Sequence, residues 1–122
     1  MNLSGPHKVT VPDYPATGFS VDISLIGLVL GIGIVYELDA VYSASLDIAI
    51  TGSGDNMPDL DIYSLASAAT DGWVYPTALI SDTAGAAIAD QYNIGVPVFG
   101  NVNIAIANAY PGDVVYVTFI LG

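Results

Sequence analysis

The 122-residue sequence predicts an all-β protein: a single antiparallel β-sandwich or jelly-roll-like barrel over residues 19–122, preceded by an extended N-terminal arm over residues 1–18. Three observations predict it. Apolar and polar residues alternate with a period of two in several segments, the spacing of a strand with one buried face. Eleven of the twelve acids are Asp and only Glu37 is Glu, which favours turns and strand ends over helices. Thirteen Gly and seven Pro are spread along the whole chain, where helices would exclude them.

The elements follow in order. Residues 1–18 hold Pro6, Pro12, Pro15 and Gly18, and His7 and Lys8 are their only basic side chains. This arm has no period and is expected to lie extended over a neighbour or over its own domain, which should fold without it. Phe19, Val21, Ile23 and Leu25 alternate with Ser20, Asp22 and Ser24 as a half-buried strand. Residues 28–37 continue as a run apolar on both faces, where Gly31 and Gly33 signal a bulge, a bend or close backbone contact. Tyr42, Ala44, Leu46, Ile48 and Ile50 against Ser43, Ser45, Asp47 and Thr51 make the clearest strand. Residues 51–59 read as a loop rich in Asp and Gly.

Residues 60–69 fit a short helix or an irregular strand, with strand preferred. Asp71 and Gly72 turn the chain into a short strand, Trp73 to Tyr75, which Pro76 ends by lacking a ladder donor. Residues 81–93 are small and polar enough for a long loop with one helical turn. Alternation returns over 96–107 with Val98, Val102, Ile104 and Ile106 on one face. Tyr-Pro-Gly-Asp at 110–113 is a turn, and 114–121 is apolar on both faces, as a strand between two packed layers would be.

Composition excludes several function classes. With 53% hydrophobic residues and 11% charged, the chain is too apolar to be disordered, and part of its apolar surface is expected to meet other protein. One Lys, no Arg and a net charge of -11 argue against nucleic acid and against anionic membrane surfaces as partners. Without Cys there is neither a disulfide nor a thiolate zinc site. The apolar run at 23–36 falls short of the roughly 20 residues a membrane-spanning helix needs. The segment before it lacks the basic cluster of a secretory signal, so synthesis and folding in a cytosol are expected.

Chemistry is sparse. His7 is the one histidine and sits in the arm, so a nucleophile-base-orienter triad is not expected. Asp59 and Asp61, two apart, would share a face if extended, the raw material of a glycosidase pair, although loop acids ordinarily face water. Asp55, Asn56, Asp59 and Asp61 offer hard oxygen ligands for calcium, but their spacing lacks the period and the distant Glu of an EF-hand loop. No catalytic residue, metal or cofactor is therefore expected. Gly27, Gly31 and Gly33 fit neither a membrane-helix packing motif, because the run is too short, nor a dinucleotide fingerprint, because the third glycine is missing. Trp73 and Tyr75 face one way in their strand, either as a stacking platform for a sugar ring or, preferred here, as a core or subunit contact.

The second half of the chain carries DGWVYP at 71–76, SDTAGAAI at 81–88 and VPVFGNVNIAIANAYPGDVVYVTFIL at 96–121. These segments resemble a loose group of small tailed-bacteriophage virion proteins, and the resemblance covers residues 41–122. Members usually carry a basic residue after the YP, where Thr77 stands here, and the first forty residues have no counterpart. The resemblance implies a head decoration (cement) protein, made in the host cytoplasm and bound to the outer capsid surface of the virion. Its partners would be the major capsid protein and sister copies, often as a homotrimer. The contacts expected are the arm, with Tyr14, His7 and Lys8, and the loops at 52–59, with Asp55 and Asp59, and at 81–93. A head-to-tail or tail component is the alternative within that group, and a carbohydrate-binding host-attachment module on Trp73 and Tyr75 is the alternative outside it.

Overall fold

The apolar segments of period two are strands in the structure. It is a computed structural model that describes residues 2–37, 47–53, 59–65, 70–81, 84 and 87–122, with backbone alone at 53, 78–81 and 87–94. Among the described residues there are nine strands and no helix: β1 (Asn2–Thr10), β2 (Phe19–Glu37), β3 (Asp47–Ser53), β4 (Leu60–Leu65), β5 (Gly72–Val74), β6 (Thr77–Ser81), β7 (Ala87–Ile94), β8 (Val96–Ala107) and β9 (Val114–Leu121). Seven form one sheet in the order β1-β9-β2-β8-β3-β4, with β5 also on β2, while β6 and β7 pair with each other. All these pairings are antiparallel, as expected.

One long strand turns this single sheet into a sandwich-like pair of leaves. The first half of β2, from Phe19 to Val29, pairs with β8, and the second half, from Val29 to Glu37, pairs with β9. Between them Gly27 has a φ of 145°, and the register with β9 shifts between Val29 and Gly31. A single inserted residue reverses which side chains point inward. Before it, Leu25 and Val29 are buried; after it, Ile32 and Ile34 are. That reversal is why the sequence reads as apolar on both faces here.

Each leaf contributes its inner face to one core. Ile48, Ile50, Val102 and Ile104 come from β3 and β8, while Val9, Val115, Val117 and Phe119 come from β1 and β9, and all belong to one buried cluster. Strands that switch leaves at bends and bulges are the usual corners of such packings. Burying each such side chain is worth about 1.5–3 kcal/mol, so this core is the main source of stability.

Three expectations are corrected. Residues 2–10 are not an irregular arm: β1 runs along β9 from Asn2 opposite Leu121 to Thr10 opposite Val114, and Val9 and Val11 are fully buried. The segment lies over its own domain, one of the two placements expected, and Val9 and Val11 belong to the core. Its period is hidden in the sequence by the register shift between Ser4 and His7 and by Gly5, at a φ of 121°. In the stretch 81–93 expected as a loop, 87–93 are strand instead, because β7 pairs back antiparallel onto β6, and 82, 83, 85 and 86 lie outside the described residues. Small residues such as Ala87 and Ala89 carry little strand preference of their own, and the partner strand decides.

The loop expected over 51–59 is also corrected at its start, because 51–53 are the end of β3, paired to β8 and β4, while 54–58 lie outside the described residues. The strand expected over 42–51 is β3 from Asp47 onward, and 42–46 lie outside the described residues. Of the segment 60–69, Leu60–Leu65 is strand rather than helix, and 66–69 lie outside the described residues. The turn at 110–113 closes with the Asp113 N–H donating to the Tyr110 carbonyl at 3.0 Å, and the Tyr110 N–H donating to Asp113 Oδ2 at 3.0 Å.

Candidate functional site

The glycines of β2 shape the most distinctive surface. After the register shift, Gly31 and Gly33 occupy outward positions of the leaf that holds β9, and the missing side chains leave bare backbone there. Trp73 stands directly opposite Gly33 on β5 and fills the gap. A Cβ added to Gly33 would lie 2.9 Å from Trp73 Cη2 and Cζ3, so only glycine admits the ring. Tyr75 does the same over Gly31, its Cε1 standing 3.3 Å from where a Cβ would be, beside Ile120 Cδ1 at 3.1 Å.

Packed against backbone on one side, the rings stay open on the other: Trp73 is 50% exposed and Tyr75 68%. Leu3 lies opposite Ile120, which lies opposite Gly31, and exposed Leu3 and Val35 extend the apolar surface across β1 and β2. The five side chains make one aromatic face on the outside of the leaf, not a cleft.

Its borders are polar. The Tyr116 hydroxyl donates to Glu37 Oε2 at 3.1 Å, which with partial burial pushes its pKa up, and Lys8 Nζ lies 6.0 Å from the Tyr116 ring centre. The Tyr36 N–H donates to Asp71 Oδ1 at 2.8 Å. Burial first, then the nearby Tyr63 and Asp71, push the Tyr36 hydroxyl up to about 12.

A concavity lies at the turn end of the sandwich. The chain at 11–18 is tied to the β8–β9 turn by Val11 N–H to the Asp113 carbonyl at 2.9 Å, Gly112 N–H to the Val11 carbonyl at 3.0 Å and Ala109 N–H to the Thr17 carbonyl at 2.8 Å. Between the two turns is an open groove of about 370 Å³ lined by Tyr14, Pro15, Thr17, Asn108, Tyr110 and Pro111.

The residues expected to carry contacts fall in separate places. Trp73 and Tyr75 are brought together, as their spacing implied, but on the surface rather than in the core. His7 and Lys8 sit on β1: Ser4 Oγ lies 2.9 Å from His7 Nε2, the His7 ring tilts against Phe119 with centroids 6.0 Å apart, and burial lowers its pKa. Tyr14 is exposed at the turn end. Asp59 is exposed next to β4, at the opposite end of the strand order from β1, and Asp55 lies outside the described residues.

The glycine floor was missed as part of a site. The signal was present in G-I-G at 31–33 and W-V-Y at 73–75, two segments of matching period, but their pairing is not written locally. Among the described residues, no group of three or more His, Asp and Glu is placed to hold a metal ion. The chemistry available on the aromatic face is contact: ring faces, aliphatic branches and a polar border. No protein-family model matches the chain, and no curated protein matches it either.

Proposed function

We propose that this chain is a non-catalytic virion structural protein of the head decoration kind, which stabilises a capsid by binding across its outer surface. One observation carries the reading. Trp73 and Tyr75 are spent on an outward apolar face built on Gly31 and Gly33, and such faces serve contact with other protein. The phage-like segments of the second half point to which protein, the major capsid protein. Each bound copy adds contacts that must break before the shell opens under the pressure of packaged DNA.

The test is the location and copy number of the chain in a purified particle, together with binding of the isolated chain to shells that lack it. Hundreds of copies on the outer surface support decoration. A single ring of copies at one vertex supports the head-to-tail alternative, and absence from the particle ends both.

A second reading rests on the same two rings, because Trp73 and Tyr75 are exposed side by side and suit stacking on a sugar. Trp73 is the one tryptophan, so its fluorescence reports directly. Quenching by added glycans would support the carbohydrate reading, and an unchanged spectrum would remove it.

A further inference from the structure

The groove at the turn end involves neither Trp73 nor Tyr75 and has a chemistry of its own. Its volume of about 370 Å³ lies within the range of roughly 300–1,000 Å³ that ligand sites occupy. Each of its two turns supplies a Tyr-Pro pair, Tyr14 with Pro15 and Tyr110 with Pro111. Tyr14 is 88% exposed, so its ring stands at the rim. Buried Asp113 fixes the second turn by accepting the Tyr110 N–H. Asn108, in the lining, has a positive φ of 53°, and its side-chain amide donates to Asp47 Oδ2 at 2.6 Å.

Hydrogen bonding narrows the ligand. Pro15 and Pro111 have no N–H to offer. The N–H groups of Ala16, Ala109 and Tyr110 are used within the protein, by the Asp13 carbonyl, the Thr17 carbonyl and the Asp113 carboxylate. The groove is therefore poor in donors, while carbonyl and carboxylate oxygens, each able to accept more than one bond, surround it. The ligand that fits brings donors and needs none.

Charge narrows it further. Asp13 adjoins Tyr14 and is exposed, and the carboxylates of Asp47 and Asp113 bond to Asn108 and Tyr110. No Lys, Arg or His follows Lys8 in the chain, and Lys8 Nζ lies by the Tyr116 ring instead, 6.0 Å from its centre. No basic residue of the groove's own segments balances these acids, and a chain of charge -11 attracts cationic partners at long range.

A guanidinium meets every demand: it is a flat cation that stacks on aromatic rings, with five N–H donors and no acceptor. Anions fail on both charge and donors. A second copy cannot supply the group, because this chain has no Arg.

We infer that the groove lined by Tyr14 and Tyr110 binds an arginine side chain presented by a basic segment of another protein. The guanidinium stacks on tyrosine and donates to the oxygens of the wall. Because the groove is open, a small free cation would stay mostly hydrated there, whereas a peptide segment also covers the mouth and the exposed Tyr14 ring. The inference holds whether or not that protein is a capsid protein.

The experiment is an NMR titration of the isotope-labelled full chain with a capped Gly-Arg-Gly tripeptide. The same tripeptide carrying Lys, or citrulline as the neutral isostere of Arg, is the comparison. Saturable amide shifts are expected at residues 14, 16, 17 and 108–110, with binding that weakens as salt rises. Affinity should fall at least about threefold with Lys and about tenfold with citrulline. Tyr14→Ala, at an exposed position, is expected to weaken binding about fivefold. Should that variant disturb the fold, exposed Asp13→Asn carries the comparison, with a loss of about twofold.

Absence of saturable shifts at those residues would overturn the inference. So would citrulline or Lys binding as tightly as Arg, shifts centred on other acids such as Asp59 and Asp61, or folded Tyr14→Ala and Asp13→Asn variants that bind like wild type. The capsid reading rests on the face of Trp73 and is tested apart, by shell binding.

Discussion

The six-membered ring of Trp73 covers Gly33: three of its carbons lie within 3.1 Å of the point where a Cβ would stand. The absence of a side chain on one strand is the seat of an aromatic on the next, a pairing that stabilises glycine-containing strands. Gly33→Ala must lift or tilt the ring. The cost expected is about 1–3 kcal/mol, typical of overpacking. The checks are a lower urea midpoint and a shift of tryptophan emission toward longer wavelength. Identical emission would mean that the ring does not rest on Gly33.

Deleting residues 1–17 is expected to abolish folding rather than free an intact domain. Val9 and Val11 are fully buried, and each contributes about 1.5–3 kcal/mol. The deletion also strips β9 of the whole of its β1 ladder and opens an apolar edge. Against a total stability of about 5–15 kcal/mol for a domain, these losses together leave little. Circular dichroism and solubility of the truncated chain are the measurement, and a folded, soluble product would sink the assignment of β1 to the core.

Asp113 is the buried acid of the turn end, and its carboxylate accepts the Tyr110 N–H. Asp113→Ala removes the acceptor of that part-buried N–H, at an expected cost of about 1–3 kcal/mol. Because the same turn holds residues 11–18 through Val11 and Gly112, amide exchange should quicken at both segments. Quickening confined to residues 110–113 would show that the two turns are not coupled.

The pH dependence has two arms. Tyr36 is held neutral to about 12, above the ordinary value of 10.0, so its contribution is complete below pH 10 and is lost as pH rises from there through about 12. Tyr36→Phe should flatten the alkaline loss of stability over that window. His7 is lowered from 6.5, so the fold favours its neutral form. That contribution is complete above pH 6.5 and declines as pH falls from 6.5 toward the folded value. Urea unfolding of wild type, Tyr36→Phe and His7→Gln across pH 4–11 checks both, and parallel curves for wild type and variants would refute them.

Much of the architecture was legible along the chain. Alternation at 19–25 and 96–107, the Asp bias and the Tyr-Pro-Gly-Asp turn specify antiparallel strands and their ends without reference to anything distant. The fate of residues 2–10 was not legible, since their pairing with β9 spans more than a hundred residues and their period is broken by the shift at Ser4 to His7. The hairpin of β6 and β7 was hidden for a related reason: small residues take the conformation their partner imposes. Trp73 and Tyr75 were identified as a pair, but whether they pointed inward or outward depended on Gly31 and Gly33 lying opposite.

From its residues alone, then, this protein is an acidic, cysteine-free, antiparallel β domain with more apolar residues than its core needs. The tertiary structure decided which side chains are inside. Period two tells that neighbours face opposite ways, a local steric property, but not which way is inward. That is settled by the inserted residue between Val29 and Gly31, which reverses β2 halfway and assigns its halves to opposite leaves.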